Sequence, residues 1–334
     1  MSGSIVIRLM SANKGKCFWA VSKWMMSSLV RSPRHWQYLF MKVLQKLICA
    51  SALITMMTST SALAEDLELN LRSRSKEDAS ADPTTKQVKW KPEKTALIIC
   101  DMWDDHWCKS ASRRVAEMAP ALNETVKAAR ARGVFIIHAP SSVVDFHKTT
   151  PQRKLAQAAK FAKAPIELST APRWGTTWCW TDPKHEGVLP IDDSDMGCSC
   201  KGEKCEIREA WSRQIKLIEM VEGDALTDSG QETYNLLAER GIDNVILCGV
   251  HLNMCVLGRP FGIRQMTKLG KNVTLMRDMT DTMYNPERPP GVDHFTGTDL
   301  VIGHVESYWC PSFTSADITG KKAFKFKGDL RKNP

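Results

Sequence analysis

The sequence predicts an α/β fold, a mostly parallel sheet between layers of helices, interrupted by one long insertion. Three observations carry this. Residues 96–100 (A-L-I-I-C) and 245–248 (V-I-L-C) are short continuous apolar runs, the pattern of strands buried on both faces. Between the first run and a third at 134–137 (V-F-I-I), apolar residues recur at Val115, Met118, Leu122 and Val126, a helical period stopped by Gly133. Strand, helix and strand in that span make a βαβ unit, with parallel strands and a right-handed crossover.

Composition fits a globular chain with a sizeable core: 334 residues, 43% hydrophobic and 25% charged. The net charge of +9 is concentrated at the N-terminus, where residues 1–64 carry eight Lys/Arg and no Asp/Glu. The remainder is nearly neutral, so no nucleic-acid partner is expected. Residues 41–64 have the form of a secretory signal. Met41-Lys42 opens a basic stretch ending at Lys46, residues 47–57 are mostly apolar, and Ala62-Leu63-Ala64 precedes Glu65. This predicts export to the periplasm or beyond, cleavage after Ala64 and no membrane attachment afterwards, the apolar run being too short to span a bilayer comfortably. Translation from Met1 or from Met41 stays open, as does the alternative of a buried hydrophobic helix in an intracellular protein. Cys17 and Cys49 fall in the leader, leaving nine of the eleven cysteines, an odd number that permits a reactive thiol.

In chain order, residues 65–93 are polar and read as a flexible arm, with the folded domain spanning 94–320 and a loose basic tail at 321–334. The first strand ends in Asp101, at the carboxyl edge of the sheet where α/β proteins place their chemistry, although Asp is also a common helix cap. The insertion, about 141–213, is too long for a plain loop and holds Trp174, Trp178, Cys179, Trp180 and Cys198-x-Cys200-x4-Cys205. Zinc ligation and disulfide pairing both stay open for these cysteines; export favours disulfides, since no CxxC pair is present. A third strand is expected at 215–221, a helix at 232–240 stopped by Gly241, a fifth strand at 272–276 and a last helix including 300–308. Cys255 falls on the turn after the 245–248 strand. Unpaired N–H groups and a helix dipole there lower a thiol's pKa and favour an exposed thiolate.

An Asp closing the first strand and a Cys on the turn after a later one resemble the arrangement in isochorismatase-like cysteine hydrolases. Residues 96–105 (A-L-I-I-C-D-M-W-D-D) are similar to that family's opening strand and its D-M-x-x-D segment. Residues 241–256 (G-I-D-N-V-I-L-C-G-V-H-L-N-M-C-V) are similar to its G-I-x-x-V-x-x-x-G-x-x-x-x-x-C-V signature, and residues 278–281 (D-M-T-D) to its D-A-T. The resemblance covers 94–140 and 215–310 and leaves out the insertion. It implies a three-layer α/β/α, Rossmann-like fold, a homo-oligomer and hydrolysis of a small amide or related carbonyl substrate, a C–N amidohydrolase activity. Cys255 would be the nucleophile and Asp101 the acid/base. The backbone N–H groups of His251 and Cys255 would form an oxyanion hole beside a cis Val250–His251 peptide. The family's third catalytic residue is a lysine on the strand before the 232–240 helix; Lys216 is the lysine in that strand, while a shorter alignment places Met220 there.

Two departures from the family pattern stand beside these matches. Leu252 occupies a common Thr position, and bulky His251 replaces a small residue, either shaping the pocket and moving protons or filling space. Trp103, His106, Trp174 and Trp178 are candidates for lining the substrate pocket. No cofactor is predicted. Asp145-Phe146-His147 has the form of the metal-binding Asp-x-His of the nicotinamidase branch, but it lies beyond the strand, with His138-Ala139-Pro140 in its place. No metal is therefore predicted, and a divalent ion on Asp145 and His147 stays open. Two alternative functions remain: an inactive family member that binds a ligand or protein, and a metal-dependent nicotinamidase.

Overall fold

The computed structural model describes residues 65–77, 82–202 and 205–331; the signal read at 41–64, Met41, Cys17 and Cys49 lie outside them. Eight strands form one sheet: β1 (Leu67–Ser73), β2 (Thr84–Trp90), β3 (Thr95–Cys100), β4 (Phe135–Ala139), β7 (Ala225–Leu226), β8 (Asn244–Val250), β9 (Asn272–Asp281) and β10 (Ser312–Phe313). Their order is β2-β1-β10-β9-β8-β3-β4-β7. The six strands from β10 to β7 run parallel, and only β1 and β2 are antiparallel to their neighbours. A two-residue ribbon, β5 (Pro172–Arg173) with β6 (Thr176–Thr177), lies apart in the insertion.

Alternation along the buried strands divides the core in two. Ala96, Ile98 and Cys100 face one side, with Leu236 and Leu237 of α3 (Gly230–Arg240), Ile263 and Met266 of α4 (Ile263–Lys268), and Val301 and Val305 of α5 (His294–Tyr308). Leu97 and Ile99 face the other, with Val115, Met118, Leu122 and Val126 of α1 (Lys109–Ala131) and Ile318 of α6 (Ala316–Thr319). Helices on both faces of a mostly parallel sheet make the α/β/α sandwich expected from the continuous apolar runs. No described helix is long and apolar enough to cross a membrane.

Several expectations are corrected. Residues 65–93 are no flexible arm: L-E-L-N-L alternates with period two, burying Leu67, Leu69 and Leu71, and β1 joins the sheet against β10. The basic tail is docked as far as it is described, with Phe326 and Asp329 buried and Phe326 stacked on Phe295. Residues 215–221 form no strand, running as a turn at 216–217 within irregular chain, and the strand at this place is β7. Between 141 and 213 the insertion has little regular structure beyond the β5–β6 ribbon and α2 (Pro151–Ala158), whose Thr150 side chain accepts the Arg153 N–H as an N-cap.

Candidate active site

Register brings the site together. Cys100 pairs with Gly249 of β8 on one side and Ala139 of β4 on the other, so the chains leave the sheet as three adjacent segments. The first residue out is Asp101, in the left-handed region at φ 44. Among non-glycine residues Asp tolerates that region comparatively well, and such residues cluster at functional sites. Its Oδ1 accepts the Ser141 N–H at 2.6 Å, from the segment following β4. On the other side Gly249, at φ +95, lets β8 come so close that a Cβ there would overlap the Cys100 carbonyl. The next peptide, Val250–His251, is cis. A tight turn then follows over Leu252–Val256, in which the Met254 and Val256 N–H groups both donate to the His251 carbonyl. This turn delivers Cys255 beside Asp101, close enough for each to shift the other's ionisation.

The third member of the cluster is one that sequence reasoning missed. Arg259 lies one helical turn beyond Cys255, its N–H donating to the Cys255 carbonyl at 2.9 Å, and its Nε reaches Asp101 Oδ2 at 3.4 Å. Asp101, Cys255 and Arg259 are all buried. Lys216 is not part of this group: it is exposed on a turn and does not line the cavity above the thiol. An available signal was the single charge in the otherwise apolar segment 254–263, since a buried guanidinium needs a carboxylate.

Burial sets the protonation states. It raises Asp101 above the ordinary carboxylate range, against the opposing pull of Arg259, the Cys255 thiol and Ser141. Cys255 is pushed up to about 12 by burial and then by the Asp101 charge, with Arg259 acting the other way. The expected low-pKa, exposed thiolate is therefore corrected: Cys255 is buried, and that burial together with the Asp101 charge favours the neutral thiol. Arg259 stays charged, because Cys255 and Asp101 offset the cost of its burial.

Above the thiol lies a cavity of about 240 Å³. Trp103 and Trp211 stack at 4.3 Å between ring centres, His106 stacks on Trp211 at 5.5 Å, and His251 meets the edge of His106 at 5.0 Å. Burial keeps both imidazoles neutral, lowering His106 to about 4 and His251 well below the ordinary histidine value. Trp107, Trp174 and Met254 add to the walls. Asp104 places Trp211: its carboxylate accepts the N–H groups of Ser212 and Arg213 at 2.8 and 3.3 Å, tying the end of the insertion to the loop after β3. Trp178 is corrected from pocket wall to buried support, packed on Gly258 with Arg259 over its ring at 5.5 Å. Three buried polar atoms of cavity-lining residues have no protein partner: Arg259 Nη1, His251 Nε2 and Trp211 Nε1.

The residues considered for a nicotinamidase-type metal do not fit one. His138 uses both ring nitrogens, on Gln214 at 3.1 Å and on Asp224 at 3.1 Å. Asp145 is exposed, and although His147 is buried with Nε2 unpartnered, no cluster of three ligands forms around it among the described residues. The expected disulfides are also absent: all nine described cysteines are free, Cys179, Cys198, Cys200 and Cys205 included.

No protein-family model and no curated protein matches the chain. Among solved structures it is similar to a cysteine hydrolase from Pseudomonas syringae pv. phaseolicola, at 17% identity and TM-score 0.40 over 69% of this chain and 92% of that one. It is also similar to an isochorismatase family protein from Burkholderia thailandensis (14%, 0.38, over 68% and 95%) and to an isochorismatase from Pseudomonas putida (14%, 0.39, over 68% and 91%).

Proposed function

We propose that the chain is an exported cysteine hydrolase of a small, flat amide or related carbonyl compound. One observation carries the reading: a thiol, a carboxylate and a guanidinium, all buried, converge beneath a cavity walled by aromatic rings. The aromatic walls suit a planar body.

In the proposed reaction Asp101 takes the Cys255 proton as Sγ attacks the carbonyl carbon. The oxyanion is held by the backbone N–H groups of His251 and Cys255. Asp101 then gives the proton to the departing amine, leaving a thioester. Water, deprotonated by Asp101, attacks that thioester, releasing the acid and restoring the thiol. A carboxylate raised by burial is a better base than a free one, and Arg259 holds it in line while stabilising the thiolate as it forms. Export would remove the leader after Ala64 and leave Glu65 two residues ahead of β1.

Intact-mass measurement after rapid quenching with a panel of aryl and heteroaryl amides and esters tests the proposal. An acyl adduct on Cys255, absent in Cys255→Ser, is expected. Turnover that survives Cys255→Ser would refute the reading. A second reading, a pocket that binds without turnover, is favoured by the thiol's rise to about 12; saturable binding with neither adduct nor product would select it.

A further inference from the structure

Away from the cavity, four cysteines from two parts of the chain meet. Cys108 stands at the N-cap of α1, and Cys198, Cys200 and Cys205 come from the insertion. The Sγ atoms of Cys108, Cys198 and Cys200 all lie within 4.8 Å of one another, with Cys108 and Cys200 3.9 Å apart, and Cys205 Sγ is 3.4 Å from that of Cys200. We propose that Cys108, Cys198, Cys200 and Cys205 form a four-thiolate site for a zinc-class divalent cation, which clamps the insertion to the start of α1.

The spacing supports one shared ion over two bonds. A metal at about 2.3 Å from each sulfur of a tetrahedron leaves the sulfurs about 3.8 Å apart, whereas a disulfide brings a pair to about 2.0 Å. Three of the four sulfurs sit in one group and the fourth, Cys205, stands against Cys200, so Cys200 is shared between neighbours at 3.9 and 3.4 Å, spacings near those of a common metal and far from a bonded pair. Soft sulfur donors in tetrahedral array select zinc or its thiophilic neighbours.

The surroundings suit a thiolate centre. The Ser110 N–H and hydroxyl both donate to Cys200 Sγ at 3.2 Å. That N–H is an open amide of the first turn of α1, which carries no acidic residue there, so the helix end supplies positive potential to a net-negative cluster. Arg114, further along the helix, donates to Ser199 Oγ at 3.1 Å, fixing the residue between two of the ligands. Hydrogen bonds of this kind around the first ligands orient them and tune a metal site. The clamp also has a purpose in the fold: Ile207, Arg208, Glu209 and Trp211, immediately after Cys205, line the cavity, in a stretch with almost no regular structure to hold it. The metal site stands independently of the hydrolase reading.

Metal analysis of the purified protein, prepared without added chelator or reductant, is the test. About one equivalent of zinc per chain is expected, with thiol blocking releasing it. Cobalt exchanged into the site should show sulfur-to-cobalt charge-transfer absorption. Cys205→Ser removes the least enclosed ligand and should weaken retention against a chelator at least ten-fold, while Cys179→Ser leaves it unchanged. A metal-free chain four hydrogens lighter than its fully reduced mass would show two disulfides and overturn the proposal. So would metal that Cys205→Ser and Cys200→Ser both retain as wild type does.

Discussion

Replacing Arg259 with Met keeps an unbranched apolar stem and removes the guanidinium and its charge, leaving Asp101 buried without a counter-ion. At the 3.4 Å separation and an effective dielectric of 20, Coulomb's law gives about 5 kcal/mol between the two charges. Breaking a buried pair by removing one partner costs about 3–5 kcal/mol, so a loss of that order is expected at pH 8. The sign of the pH dependence follows from Asp101. Its folded pKa is already raised, so protonation at low pH favours folding, and that contribution is lost as pH rises through the raised value. Removing Arg259 raises it further and shifts the loss to higher pH. The gap between wild type and Arg259→Met should therefore narrow as pH falls toward 5 and widen toward 8. Urea unfolding followed by tryptophan fluorescence across that range measures it. Asp101→Asn in the Arg259→Met background should recover part of the loss. Equal stability of Arg259→Met and wild type at every pH, or strict additivity in the double variant, would refute the coupling of the two charges.

The thiol itself should behave unusually. Asp101→Asn removes the negative charge that helps hold Cys255 up, so alkylation of Cys255 at pH 8 should speed up several-fold while turnover falls by about 10³ or more; slower alkylation in Asp101→Asn contradicts the assignment. Trp211→Ala removes one face of the stacked wall, and a loss of about 1 kcal/mol should appear as a roughly five-fold rise in KM with kcat little changed. Glu186 binds Arg264 at 2.7 and 3.0 Å, His304 at 3.0 Å and Trp309 at 2.9 Å. Burial opposes its ionisation, but these partners outweigh it and hold the carboxyl at about 2, so its stabilisation is present above the unfolded value near 4.5 and is lost as pH falls through about 2. Glu186→Gln should cost about 3–5 kcal/mol at pH 7 and much less near pH 3, read from the urea midpoint.

The parts of the fold written in continuous apolar runs were readable: β3 and β8 locate Asp101 and Cys255 because a strand buried on both faces admits few polar residues and ends abruptly where the chemistry begins. The β1–β2 hairpin was not, because L-E-L-N-L sits among many charged residues and its alternation is short. Arg259 was hidden by a different cause. The basic partner was expected from a lysine on a preceding strand, whereas the group beside Asp101 comes from the turn that carries Cys255, and only three-dimensional register shows that the guanidinium reaches Asp101. Trp211 and Cys108 became visible only once the insertion folded back over α1, since no local period links residue 108 to residues 198–205.

The hairpin also decides what the sheet offers to another molecule. Strand β10 is two residues long and would leave the backbone of β9 and β10 open to any extended chain of matching polarity. Strand β1 covers that margin, and β2 then presents Thr84, Thr85, Lys86, Gln87 and Lys89 outward, a hydrophilic and cationic border ill suited to further pairing. At the opposite margin β7 is only two residues long. Neither border is a long apolar template, so the sheet terminates within one chain, and trimming the protein back to residue 94 would expose a sticky flank and favour precipitation.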